Sequence, residues 1–164
     1  MDDRTGPTTE AEGDPPVLGC LEEVWSSLAT LAGQLDEHEW ETPSELPGWS
    51  VKDCISHIVG VESALLGEPV PDVAVEHLEH VTSDFAAMIE KAVEARRSRA
   101  ASEVVAELGD ATSRRLDALR AMSPEEWAVI GWSPVGQVPY AQFMEVRVFD
   151  CWMHEQDIRR ATGR

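Results

Sequence analysis

In the segment VFDCWMHEQDIRRATGR, Asp150 and His154 stand four residues apart, with Asp157 three further on. Side chains at i and i+4 of an α-helix have Cβ atoms only ~5–6 Å apart, so a carboxylate and an imidazole at this spacing can both reach one ion. Two ligands from one helix need one or two more from elsewhere. His57 is the candidate supplier, being the other histidine that falls beside the apolar side of a helical segment. Two imidazoles and a carboxylate, with water in the remaining positions, form an open site suited to zinc or another divalent first-row metal. The same residues also read without a metal: Asp150 and His154 as a surface pair, Asp157 as a partner of Arg160, Asp53 as a helix cap. Spacing alone leaves both readings open.

Other chemistries lack their signatures. The chain has no GxSxG, no glycine-rich phosphate loop, no CxxC and no HExxH. Cys20, Cys54 and Cys151 fit neither a disulfide framework nor a cysteine zinc site, and are expected on apolar helix faces as small hydrophobes. His38, His77 and His80 fall in a loop or an acidic helix surface and receive no role.

The elements that must position these groups are helical. Residues 1–16 are rich in Asp, Glu, Thr, Gly and Pro and read as a flexible acidic tail; residues 17–164 read as one domain. Val17, Leu18, Leu21, Val24, Leu28, Leu31 and Leu35 recur at helical spacing and predict a helix to about Asp36. EHEWETPSELPGWS predicts an ordered loop that packs its tryptophans. Ser50 and Asp53 form a capping-box pattern that opens a second helix running to Gly67 with His57 on it. A third helix is expected from Val73 to Arg97, with Leu78, Val81, Phe85, Met88, Ile89 and Val93 facing inward. A fourth is expected from Ala101 to Met122, with Gly109 as a site for a kink. SPEEW opens a short turn capped by Ser123, and IGWSPVGQVPY is a connector with at most a brief strand near Ala128 to Trp132. The last helix is expected from Tyr140 to Ala161 with Gly163 as its C-cap. On it, Phe143, Val146, Phe149 and Met153 form an apolar stripe beside the polar stripe Arg147, Asp150, His154 and Asp157. The fold class is all-α, a four-helix bundle, whose interior is a common place for metal sites.

Composition narrows the partners. The formal charge of −18 repels phosphate backbones and anionic membrane surfaces, and the short run Arg96, Arg97 and Arg99 reads as a surface or loop patch among acidic neighbours. No window has the ~20 apolar residues of a membrane span, and the N-terminus lacks the basic and apolar regions of a signal peptide. The expectation is a cytoplasmic protein that binds neither nucleic acid nor membrane.

LPGWSVKDCISHIVGVE, followed much later by VFDCWMHEQDIRRATG, resembles the DinB/YfiT-like metalloenzyme superfamily and, within it, the mycothiol-dependent maleylpyruvate isomerase N-terminal domain family. The resemblance covers Val17 to Arg164 and implies a DinB-like four-helix bundle holding a divalent metal, usually zinc, through His57, Asp150 and His154. It further implies mycothiol as a thiol co-substrate, held by the metal as thiolate, with S-transfer to a small electrophile somewhat favoured over isomerisation. Arg147 is the candidate for binding a carboxylate of substrate or cofactor, beside its reading as a structural ion pair. Isomerase-like members carry Glu where this chain has Asp150, one methylene shorter. Members usually continue past the last helix, so groups from a C-terminal domain are expected to be missing here. Two other classes stand beside this reading: a non-catalytic metal-binding helical sensor, and a thiol-independent metallohydrolase. Bundles of this kind often pair through helix faces, which keeps a homodimer open.

Overall fold

A computed structural model describes residues 15–164. The expected tail at residues 1–14 lies outside the described residues. Pro15 precedes the first helix as its N-cap, and Pro16 already belongs to the helix. Among the described residues, no helix is long and apolar enough to cross a membrane.

Four long helices carry the fold: α1 (Pro16–Ala32), α2 (Val51–Leu65), α4 (Ala101–Arg120) and α6 (Tyr140–Thr162). Between them lie a 3-10 turn (Glu39–Glu41), the shorter α3 (Asp84–Arg97), the single turn α5 (Pro124–Trp127) and a hairpin of β1 (Ile130–Ser133) with β2 (Gly136–Pro139). α2 is the central helix, packed against α3, α4 and α6, while α1 packs on α6 and α4. Every residue from Val51 to Val59 is buried. The core joins Leu21, Leu28 and Leu31 of α1 to Ile55 and Ile58 of α2, Leu108 and Leu119 of α4, and Met144 and Ile158 of α6.

The helix starts follow local chemistry. Ser50 Oγ accepts from the Asp53 backbone N–H while the Asp53 carboxylate accepts from the Ser50 N–H, so the expected capping box forms. Ser123 and Glu126 form another at α5. α6 ends where Gly163 adopts φ 71°, a left-handed cap that glycine takes without a Cβ penalty. α4 continues through Gly109 as one helix.

Several expectations need correction. α1 stops at Ala32, not Asp36. α3 begins only at Asp84, where Ser83 caps the helix by accepting from Ala86 N–H, and residues 73–83 form turns instead. The connector after α5 is an antiparallel hairpin, pairing Gly131 with Val138 and Trp132 with Gln137. The buried stripe of α6 is Met144, Arg147, Cys151, Glu155 and Ile158, whereas Phe149, expected inside, is 61% exposed. Phe85 and Met88 of α3 are likewise exposed, and Cys20 faces solvent. Arg96 is not a surface residue: it is buried against Glu107, tying α3 to α4 at 2.9 Å.

α2 and α3 cross closely at Gly60, where an added Cβ would lie 2.3 Å from the Ala92 Cβ. Gly60→Ala should therefore lower stability by about 1–3 kcal/mol despite the better helix propensity of alanine, read as a fall in the urea midpoint. Adding Ala92→Gly to the same chain should recover part of the loss.

Candidate metal centre

His57 reaches the site from the middle of α2, and Asp150 and His154 from successive turns of α6. Their ligand atoms all lie within 4.8 Å of one another. His57 Nε2 is 3.2 Å from Asp150 Oδ2, and His154 Nε2 is 3.7 Å from Asp150 Oδ1. Ligand atoms around a tetrahedral zinc, each ~2.0–2.2 Å from the ion, stand roughly 3.3 Å apart, so the two separations from Asp150 suit a metal of this size, and the set as a whole spans up to 4.8 Å. The two imidazole rings meet edge to face with centroids 4.8 Å apart.

Electrostatics favours the ligating forms. Burial acts to raise the Asp150 carboxyl, but the hydrogen bond from His57 and the Arg147 charge outweigh it and hold the group well below the usual carboxylate range. Burial, with the neighbouring His57 next, pushes His154 down to about 4, which keeps its imidazole neutral. His154 Nδ1 is buried without a hydrogen-bond partner, and Asp157 Oδ2 lies 3.3 Å from it outside hydrogen-bonding alignment. Asp157 thus borders the site as a neighbour of His154, in the place where metal-bound histidines commonly find a carboxylate.

Arg147 has its carboxylate partners inside the protein. It is 4% exposed; Nη1 donates to Asp150 Oδ2 at 2.6 Å, and Nε and Nη2 donate to Glu62 Oε1 at 3.0 and 2.9 Å. Glu62 is fully buried on α2 and also accepts from Arg115 Nε of α4 at 3.0 Å. A chain of paired charges therefore runs from α4 through α2 to the Asp150 carboxylate.

The PGWS loop supplies the remaining wall. Trp49 stacks at a tilt beside both His57 and His154, with ring centroids 5.3 and 5.8 Å away. Its Nε1 donates to Glu90 Oε2 at 2.8 Å, and Arg97 holds the other oxygen of Glu90 at 2.6 Å. His80 lies 3.1 Å from Glu90 and packs against Gly48, where any Cβ would meet its ring at 2.3 Å. Asp53 stays in its cap and also faces Arg97 at 3.4 Å. Cys54 and Cys151 are buried, and burial pushes each thiol up to about 12, too high for a nucleophile at neutral pH.

On the outer side the three site residues border a cavity of about 1100 Å3 between α2, α3, α6 and the hairpin. The residues missed from the sequence are Glu62, Trp49, Glu90 and Arg115. Glu62 left one sign: it falls in the apolar stripe of α2, four residues after Ile58 and three before Leu65.

A family model described as the mycothiol maleylpyruvate isomerase N-terminal domain matches residues 21–159. No curated protein sequence matches significantly. Among solved structures, a histidine mutant of the mycothiol-dependent maleylpyruvate isomerase is similar at 18% identity and a TM-score of 0.68, over 87% of this chain and 59% of that one. The chain thus spans little more than half the length of that relative. YfiT from Bacillus subtilis, assigned as a probable metal-dependent hydrolase with an unusual four-helix bundle topology, is similar at 17% identity and a TM-score of 0.58, over 97% of this chain and 92% of that one. The colibactin self-resistance protein ClbS, solved in complex with a double-stranded DNA, is similar at 10% identity and a TM-score of 0.65, over 90% and 94% of the two chains. These likenesses show the helical-bundle fold.

Glu62→Gln should cost about 3–5 kcal/mol in urea denaturation, because it leaves two buried guanidinium groups short of their counter-charge. The lowered His154 pKa fixes a pH dependence too. Between pH 6.5 and about 4 the unfolded chain binds a proton at His154 that the folded chain refuses, so metal-free protein should lose stability as pH falls through that window. His154→Gln should flatten that part of the urea-midpoint profile.

Proposed function

Because the chain belongs to the mycothiol maleylpyruvate isomerase N-terminal domain family, we propose that it is a divalent-metal-dependent enzyme using a low-molecular-weight thiol, mycothiol, in S-transfer to, or isomerisation of, a small electrophile. The supporting observation is that His57, Asp150 and His154 bring three ligand atoms within 4.8 Å at the wall of a large cavity. In this reading those residues hold the metal, zinc for preference, which when bound supplies an acidic centre that keeps a thiol as thiolate at neutral pH.

The chain's own groups prepare that state. The Asp150 carboxylate is kept ionised by His57 and Arg147 and supplies the negative charge that favours a dication. His154 is kept neutral by burial, so a lone pair is available near neutral pH without displacing a proton. Arg147 orients the carboxylate through Asp150 Oδ2 and is itself fixed by Glu62. Trp49 covers both imidazoles and limits water on that side. Neither buried cysteine has a thiol acidic enough to attack, which supports an external thiol as nucleophile.

Incubating zinc-loaded protein with mycothiol and an alkylating electrophile tests the reading, since product should require both metal and thiol. Product without thiol would instead mean a metallohydrolase, and bound metal with no turnover a binding domain. His57→Ala and His154→Ala should each strip most of the metal by elemental analysis. Metal content unchanged in both variants refutes the ligand set.

A further inference from the structure

We propose that the electrophile taken by this cavity is an uncharged, largely apolar organic molecule, such as an activated aromatic ring, rather than a dicarboxylate. This rests on the proposed function for its chemistry, while the binding preference stands on the cavity itself. The wall beside the metal centre is built by Val61, Phe85, Met88, Ile89, Val146 and Phe149, from α2, α3 and α6. Phe85 and Met88 are 44% exposed, and Phe149 61%, so apolar side chains that sequence periodicity assigns to a core are left uncovered. An apolar occupant removes that surface from water. At the mouth, Trp132 of the hairpin stands over Phe85 with ring centroids 5.8 Å apart, offering flat aromatic faces.

The charges lining the cavity argue against a dianion. Its two arginines, Arg96 and Arg147, are already committed to carboxylates. Arg96 donates to both oxygens of Glu107, at 3.0 and 2.9 Å, and to the Ala92 carbonyl at 2.7 Å. Arg147 is held by Glu62 and Asp150. Against them, among the described residues, the lining carries three carboxylates, Glu68, Glu90 and Asp150, and no lysine. A substrate with two carboxylates would leave water for a site where no described residue offers an uncommitted guanidinium or ammonium group, inside a chain of formal charge −18. A neutral ring meets no such penalty. In the reaction with a halogenated nitroarene, the thiol sulfur forms the C–S bond, halide leaves with the former bonding pair, and the thiol proton passes to solvent.

The test uses phenylnaphthylamine, a neutral apolar fluorophore, on the full chain. It should bind saturably with enhanced emission, and maleate at about a thousand-fold excess should not displace it. Met88→Glu and Phe149→Asp alter exposed positions and should fold, checked by circular dichroism. Each should weaken phenylnaphthylamine by about ten-fold or more. Unchanged binding in both variants, or displacement by maleate, overturns the proposal. Turnover with mycothiol separates this inference from the function it rests on. Conjugation of chlorodinitrobenzene in preference to a maleyl dicarboxylate supports both readings, and preference for the dicarboxylate overturns this one alone. No turnover of either, with phenylnaphthylamine still bound as expected, overturns the enzymatic reading and sustains the apolar preference of the cavity.

Discussion

The Glu62 carboxylate, buried at the centre of the bundle between Arg115 of α4 and Arg147 of α6, is the interaction on which the rest of the molecule turns. Removing ions from water is expensive, and such a cluster persists only when its charges balance and its remaining donors find partners. One carboxylate cannot balance two guanidinium groups. Tyr140 Oη accepts from Arg115 at 3.0 Å and Met144 Sδ lies 3.3 Å away, which satisfies donors but supplies no charge. The second negative charge comes from Asp150, 2.6 Å from Arg147. The carboxylate that faces the candidate metal centre is therefore also a counter-ion of the core. Its two oxygens divide the work: Oδ2 faces Arg147 and His57, and Oδ1 turns toward His154.

A second chain of polar contacts fixes the site from outside. Trp49 is tied to Glu90, Glu90 to Arg97, and Arg97 to the Asp53 cap at the start of α2 and to the Gly48 carbonyl. Both ends of this chain belong to the segment that leads into His57, so the loop and the helix it opens are set by the same residues. α3 is anchored through its C-terminal half, where Glu90, Val93 and Arg96 are buried, while Phe85 and Met88 in its first turns stay exposed. The cavity exists because α3 is held at one end and its apolar first turns meet no opposing core.

What the sequence made legible follows from how local each signal is. The capping box at Ser50, the turn at Ser123 and the Gly163 cap depend on neighbours within a few residues and formed as expected. Asp150 and His154 stand on successive turns of one helix, and only His57 had to be matched across the chain. The α3 stripe misled because periodicity records that a face is apolar, not whether another element covers it. α6 misled for the same reason, since it has two apolar arcs: Met144, Cys151 and Ile158 enter the core, and Phe143, Val146 and Phe149 face the cavity. Glu62 was invisible as a keystone because its partners lie 53 and 85 residues away on other helices. A lone acid in an apolar stripe is a sign, but its meaning is supplied only by tertiary contact.

The identity of the residue at position 150 follows from this arrangement. Arg147 precedes it by three residues on the same helix and reaches its carboxylate directly while holding Glu62 with its other edge. A glutamate there would carry its oxygens roughly 1.5 Å farther from the helix, the length of one carbon–carbon bond. It would have to fold back to keep Arg147 and His57 together, at a cost in side-chain freedom. Aspartate meets both partners with one fewer rotatable bond, leaving the opposite oxygen aimed at His154. The shorter acid is thus the residue that this buried charge network accommodates, and the same network that stabilises the bundle sets the form in which the carboxylate faces the cavity.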